Sequence, residues 1–183
     1  GWRIDRHVRL LGDITGDGKA DVVGFGGGGV WVSLNNGDGT FQAPKLVIKD
    51  FAIGAGGWEV NKHPRFLADV NGNGRMDIVG FGGSGVWVAL SHGDGTFQNM
   101  KLVSREVGYN SNWRVEKHAR FVADLTGNGA ADIIGFGDDG VRVSYNNGKG
   151  KFPQGLVKIS EQFCSGEKWP LDKTIRMVGN VFN

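Results

Sequence analysis

The chain has 183 residues, one domain's worth on ordinary size statistics, with 39% hydrophobic and 22% charged residues and a net charge of +2. That balance excludes a strongly basic nucleic-acid binder and an acidic tail protein, and no apolar run approaches the roughly 18 residues that a membrane-spanning helix needs. A single cysteine, Cys164, excludes an internal disulfide and a cysteine-based zinc cluster, while 33 glycines point to many tight turns.

Taken in chain order, the first stretch that reads as structure is His7–Asp13, an alternating strand. A loop of Gly, Asp and Thr follows, and then two short β-branched and aromatic runs, Asp21–Phe25 and Val30–Leu34, separated by four glycines. Asn36-Gly37-Asp38-Gly39 predicts a tight hairpin turn, and Phe41–Ile48 predicts a fourth strand. No segment carries a 3.6-residue apolar period, so almost no helix is expected.

The same order then repeats. Trp2, Trp58, Trp113 and Trp169 lie 56, 55 and 56 residues apart. His7, His63 and His118 follow the first three by five residues, and Asp13, Asp69 and Asp124 by eleven. The division is into units 1–56, 57–112 and 113–168, with 169–183 opening a fourth. Four short strands per unit, repeated every 40 to 60 residues, predict an all-β protein built of β-propeller blades, each of four antiparallel strands. Three blades and one extra strand, expected at Ile175–Val181, cannot close a ring of the usual four to eight. The ring is therefore expected to be completed by another chain, a second copy giving a dimer being the simplest, unless the chain is a fragment of a longer propeller.

Each unit carries an acidic loop after its first strand. The loops offer Asp13, Thr15, Asp17 and Asp21 in the first unit, Asp69, Asn71, Asn73 and Asp77 in the second, and Asp124, Thr126, Asn128 and Asp132 in the third. Oxygen-bearing side chains at alternate positions of a glycine-rich turn suit calcium, a hard ion taking six to eight oxygen ligands. With three carboxylates against two and two, the first loop is expected to bind it most tightly. The competing reading is a set of Asx turns closed by side-chain to backbone hydrogen bonds, with no metal.

In an up-and-down blade these loops share one rim, and the starts of the first strands share the opposite rim with the turn between the second and third strands. That opposite rim has the ingredients of a sugar site: Trp31, Trp87, Trp58 and Trp113 as stacking surfaces, glycine backbone for close approach, and His7, His63, His118, Arg9, Arg65 and Arg120 as hydrogen-bonding groups. Spaced two apart, each His and Arg pair is expected on one strand face. Packing between blades is the competing reading for the repeated Trp and for the His/Arg pairs. In the third unit Arg142 replaces the Trp and Asp138-Asp139 replace Gly27-Gly28, so its site is expected to be altered or lost.

The pattern D-x-[TN]-G-[DN]-G-x-x-D-[VI]-[VI]-G-F-G resembles the FG-GAP/VCBS propeller repeat found also in integrin α-subunits. The fuller unit, adding the Trp, the His-x-Arg and the GVWVSLNNGDGTF run, resembles the fungal lectin family of Psathyrella velutina. That resemblance implies propellers of six or seven blades that bind terminal N-acetylglucosamine and related glycans between blades, some loops holding calcium. This chain has about half the blades that family uses. The expectation is a non-enzymatic, multivalent glycan-binding protein, with an integrin-like protein-binding module and a scaffold fragment of a larger secreted protein as alternatives. No catalytic constellation is read, and Cys164 in a loop without a fixed base is expected to be inert.

Overall fold

A computed structural model describes residues 1–164, 169–171 and 173–178. It contains three four-stranded antiparallel sheets, each formed by four strands consecutive in the chain and paired in sequence order. The first holds β1 (Arg9–Gly12), β2 (Asp21–Phe25), β3 (Val30–Ser33) and β4 (Lys45–Ile48); the second β5 (Arg65–Ala68), β6 (Asp77–Phe81), β7 (Val86–Ala89) and β8 (Lys101–Ser104). The third holds β9 (Arg120–Ala123), β10 (Asp132–Gly137), β11 (Gly140–Ser144) and β12 (Val157–Ser160). A 3-10 turn at Tyr109–Ser111 is the helical element among the described residues. This is the expected all-β blade architecture, and the three sheets do not close on themselves. No described helix is long and apolar enough to cross a membrane.

The strands are shorter than the sequence suggested. The fourth strand of the first blade begins at Lys45, with only an isolated bridge from Asn35 to Phe41 before it. The second blade repeats that pattern, with a bridge from Ser91 to Phe97 and a strand from Lys101, so Pro44 alone is not its cause. The first strand begins at Arg9, after a turn in which the His7 N–H donates to the Arg3 carbonyl at 2.8 Å. Of the expected strand Ile175–Val181, residues 175–178 have no strand pairing and 179–181 lie outside the described residues.

The alternation of each strand gives every blade two apolar faces, buried against its neighbours. Val23, Phe25, Val30 and Val32 of the first blade form one core with Ile78, Ala89 and Trp58 of the second. Val79, Phe81, Val86 and Val88 of the second form the next with Ile133 and Ala131 of the third. Ile134, Val141 and Val143 form a third, covered in part by Val178. Hydrogen bonds at the acidic rim join the blades as well. Met76 N–H donates to the Asp13 carbonyl and Ala131 N–H to the Asp69 carbonyl, each at 2.8 Å. The Ser91 hydroxyl reaches the Ile14 carbonyl at 2.6 Å, and the Asn146 amide reaches the Val70 carbonyl at 2.7 Å.

The final segment copies the opening of a blade. Arg65 stands over the Phe25 ring at 5.4 Å and donates to the Phe51 carbonyl at 2.9 Å, while Trp58 packs on Phe51 with centroids 4.9 Å apart. Arg176 stands over Phe136 at 5.6 Å and donates to the Phe163 carbonyl at 3.3 Å, and Trp169 packs on Phe163, again at 4.9 Å.

Candidate functional site

Two clefts open on the rim opposite the acidic loops. In each, one blade brings a Trp and a His from ahead of its first strand together with the turn between its second and third strands. The first cleft, about 380 Å³, is lined by Trp2, His7, Gly26–Gly28, Trp31 and Pro44. The second, about 290 Å³, is lined by Trp58, His63, Gly82–Ser84, Trp87, Met100 and Asn110. Glycine is required beneath the Trp: a Cβ on Gly80 would lie 2.5 Å from the Trp58 ring, and one on Gly24 would lie 2.6 Å from Trp2.

The histidines are held in one orientation by two contacts. The Trp ring stands edge-on to the imidazole, with centroids 5.5 Å apart for Trp2–His7, 5.6 Å for Trp58–His63 and 5.3 Å for Trp113–His118. The backbone N–H of the residue after the Trp donates to Nδ1, from Arg3 to His7 at 2.9 Å, Glu59 to His63 at 3.1 Å and Arg114 to His118 at 3.0 Å. An Nδ1 that accepts leaves the proton of the neutral ring on Nε2. Burial pushes the His7 and His63 pKa values down, so the neutral ring is favoured in both.

The His and Arg of each unit differ in setting, each His closing a turn just ahead of the strand that its Arg opens. Arg65 and Arg120 are buried between blades, donating to the Phe51 and Val107 carbonyls. Each keeps Nε and Nη2 without a hydrogen-bond partner, and burial pushes each pKa down to about 10. Arg9 is exposed, on a surface shared with Trp2, Trp31 and Phe41.

The third blade differs as its sequence suggested. Asp138 Oδ1 lies 3.1 Å from His118 Nε2 and 2.8 Å from Lys117 Nζ. Asp139 makes a two-pronged pair with Arg142, at 2.5 and 2.9 Å, which holds its carboxyl well below the usual carboxylate range. Trp113 packs over Gly135.

The acidic loops use their carboxylates on the backbone. Asp13 Oδ1 accepts from the N–H groups of Thr15, Gly16 and Asp17, and Oδ2 from Gly18 at 2.7 Å. Burial raises the Asp13 pKa, but the bonds from Gly16, Gly18 and Thr15 outweigh it and hold the group below its ordinary value. Asp69 and Asp124 repeat the cradle with Asn71, Gly72, Asn73 and Gly74, and with Thr126, Gly127, Asn128 and Gly129. Asp17 pairs with Lys19, and Asn73 and Asn128 cap Arg75 and Ala130. Asp21, Asp77 and Asp132 are buried and staple two turns of their own blade. Asp77, for example, accepts from Val70 and Ser91 at 3.0 and 2.7 Å. These oxygens accept from backbone N–H groups, and no group of three or more His, Cys, Asp or Glu among the described residues is placed to hold a metal.

Asn110 and Pro44 were missed from the sequence. Asn110 sits in the connection leaving the second blade, where its N–H donates to the Gly83 carbonyl at 2.9 Å. Gly54 makes the matching bond to the Gly27 carbonyl in the first connection, so no repeated side chain marks the position. The tight-turn reading of Asn36–Gly39 fits the structure, where Gly37 and Gly39 take positive φ.

A family model described as an FG-GAP-like repeat matches residues 13–62. Among solved structures, an Agrocybe aegerita lectin described as specifically recognising non-reducing terminal N-acetylglucosamine is 50% identical, with a TM-score of 0.90, over 93% of this chain and 42% of that one. The chain thus spans less than half the length of that relative. The Photorhabdus luminescens Tc holotoxin pore matches with a TM-score of 0.62 at 21% identity, over 84% of this chain and 7% of that one, a likeness of fold alone. Comparison with curated protein sequences gave no match. Residues 13–62 thus match an FG-GAP-like repeat, and the three blades share the fold of that lectin.

Proposed function

We propose that the chain is a non-enzymatic carbohydrate-binding protein that takes terminal N-acetylglucosamine-type sugars in the two clefts at Trp2/His7/Trp31 and Trp58/His63/Trp87. The observation that carries this reading is the repetition of one Trp–His–glycine cleft in a chain half identical to a lectin described as recognising that sugar. An indole face suits the C–H face of a pyranose, and a fixed His donor suits a hydroxyl or an acetamido carbonyl. Arg65 and Arg120 contribute by fixing the blades. Repetition of weak sites on one rim raises avidity by factors of about 10² to 10⁴ where geometry allows.

A glycan array tests it. Selective binding to terminal N-acetylglucosamine is the expected result; a blank array from folded protein would overturn the reading in favour of an integrin-like protein-binding module. Calcium carries no step here and has its own test. Calorimetric heat on adding calcium, lost in Asp13→Asn, would establish a site in the first loop.

In this reading residues 1–56, 57–112 and 113–168 are the blades, 169–183 opens a further unit, and a second copy completes the ring. The leading face of the first blade would then seat on the third blade of the partner, in place of residues 169–178. Light scattering at twice the chain mass is expected; a folded monomer defeats this part alone.

A further inference from the structure

The third blade carries the same Trp–His pair as the other two, turned the same way, yet its rim is filled by the chain itself. The Trp113–His118 spacing and the Arg114 N–H bond to Nδ1 match those of the two clefts. What differs is the group facing Nε2, a carboxylate that lies close to it without an aligned hydrogen bond. At the positions of Gly27 and Gly83 the third blade has Asp138, whose carboxylate lies 3.1 Å from His118 Nε2. Arg142 takes the place of the indole as well: a Cβ on Gly137 would lie 3.1 Å from Arg142 Nη1, as one on Gly26 would from Trp31 Nε1 and one on Gly82 from Trp87 Nε1. Asp139 holds that guanidinium from two sides, and Lys117 and Lys158 complete the ion pairs.

We propose that the third rim is a closed copy of the binding cleft, in which the Asp138 carboxylate stands in for the ligand's acceptor oxygen. Two consequences follow for the open clefts, both resting on the glycan-binding reading above. His7 and His63 are the selecting donors, each presenting Nε2–H to an oxygen of the sugar, so a ligand lacking an acceptor there is rejected. The chain also has two competent clefts, not three. A site built to donate discriminates strongly, because a buried donor left unpaired opposes binding of a ligand without an acceptor.

The test has one arm that needs no sugar and one that does. In the free protein, NMR of the imidazole N–H groups should show the His118 Nε2–H protected from exchange relative to His7 and His63, with the protection lost in Asp138→Ala, which removes the facing oxygen. Equal exchange at all three overturns the proposal whatever the chain binds. The second arm counts sites by calorimetry with methyl N-acetylglucosaminide. Wild type should bind two, His63→Ala one, and the variant Asp138→Gly/Asp139→Ser/Arg142→Trp three. Three sites in wild type, or two in a folded triple variant, overturns the proposal. No binding by wild type defeats the glycan reading instead and leaves the exchange result to decide the contact.

Discussion

Arg9 and Arg65 hold the same position in successive repeats, as do Trp2 and Trp58, and their surroundings are opposite. Trp58 is 4% exposed and Trp2 47%; Phe97 is 7% exposed and its counterpart Phe41 44%; Leu11, matching the half-buried Leu67, is 65% exposed. The leading face of the second blade is covered by Phe25, Val30 and Val32 of the first, and the leading face of the first has no described blade before it. Near-identical sequences thus carry the same face, and the neighbour alone decides whether that face is core or surface. In a repeat, pattern fixes what a side chain can do, and position along the array fixes what it does.

The comparison can be broken most sharply at the tryptophans. Trp58→Ala should cost about 3–5 kcal/mol, the range for a buried large aromatic, whereas Trp2→Ala should cost under about 1 kcal/mol if the first blade stands uncovered. Urea midpoints measure both. Equal, large losses would mean that the leading face of the first blade is covered in solution, the outcome a ring-closing second copy requires.

The arginines give a smaller contrast. Arg65→Ala leaves the Phe51 carbonyl without its partner and empties the space over Phe25, at about 1–3 kcal/mol, while Arg9→Ala should stay within about 0.5 kcal/mol in the monomer and approach Arg65→Ala where a second copy closes the ring. Denaturation of the two variants side by side checks the difference, and Arg9→Ala matching Arg65→Ala would again place a blade on that face.

The smallest effect lies in the acidic loops, where neighbours also set the chemistry. Burial pushes the Asp77 pKa up to about 6, against the bonds from Ser91 and Val70, while the Asp13 carboxyl is held below its ordinary value. A raised folded-state pKa means that the folded protein binds the extra proton. The proton-linked stability from Asp77 is therefore fully present below about pH 4, near the ordinary aspartate value, and is lost as pH rises through about 6. Carboxyl carbon NMR should give Asp77 a midpoint near 6 and Asp13 one below the usual range. The reverse order would show that the cradle of Asp13 is not formed in solution.

Much of this was legible from sequence because the repeat supplies three readings of every position. The strands, their order, the hairpin turns and the gathering of Trp and His on one rim all follow from spacing and period. The different settings of His and Arg were not legible, because spacing alone does not say that Arg65 and Arg120 are buried between blades. Side-chain type alone also could not settle the acidic loops. Asp and Thr at alternate positions suit a cation and a nest of N–H groups alike, and the backbone cradle of Asp13 became visible only in the structure. Asn110 was invisible because its counterpart in the first connection is Gly54, which makes the same backbone bond but carries no side chain.

The rim bonds that join the blades have a consequence for how such chains change length. The Asp13 and Ile14 carbonyls receive Met76 and Ser91 of the next unit, and the Asp69 and Val70 carbonyls receive Ala131 and Asn146 of the one after. A unit duplicated whole arrives with donors for the blade before it and acceptors for the blade after it, so it joins without any new contact having to be invented. A unit gained or lost in part strands carbonyls on one side and donors on the other. Relatives of this chain should therefore differ by entire steps of the 55- or 56-residue spacing seen here, with the repeat acting as the unit of inheritance as well as of packing.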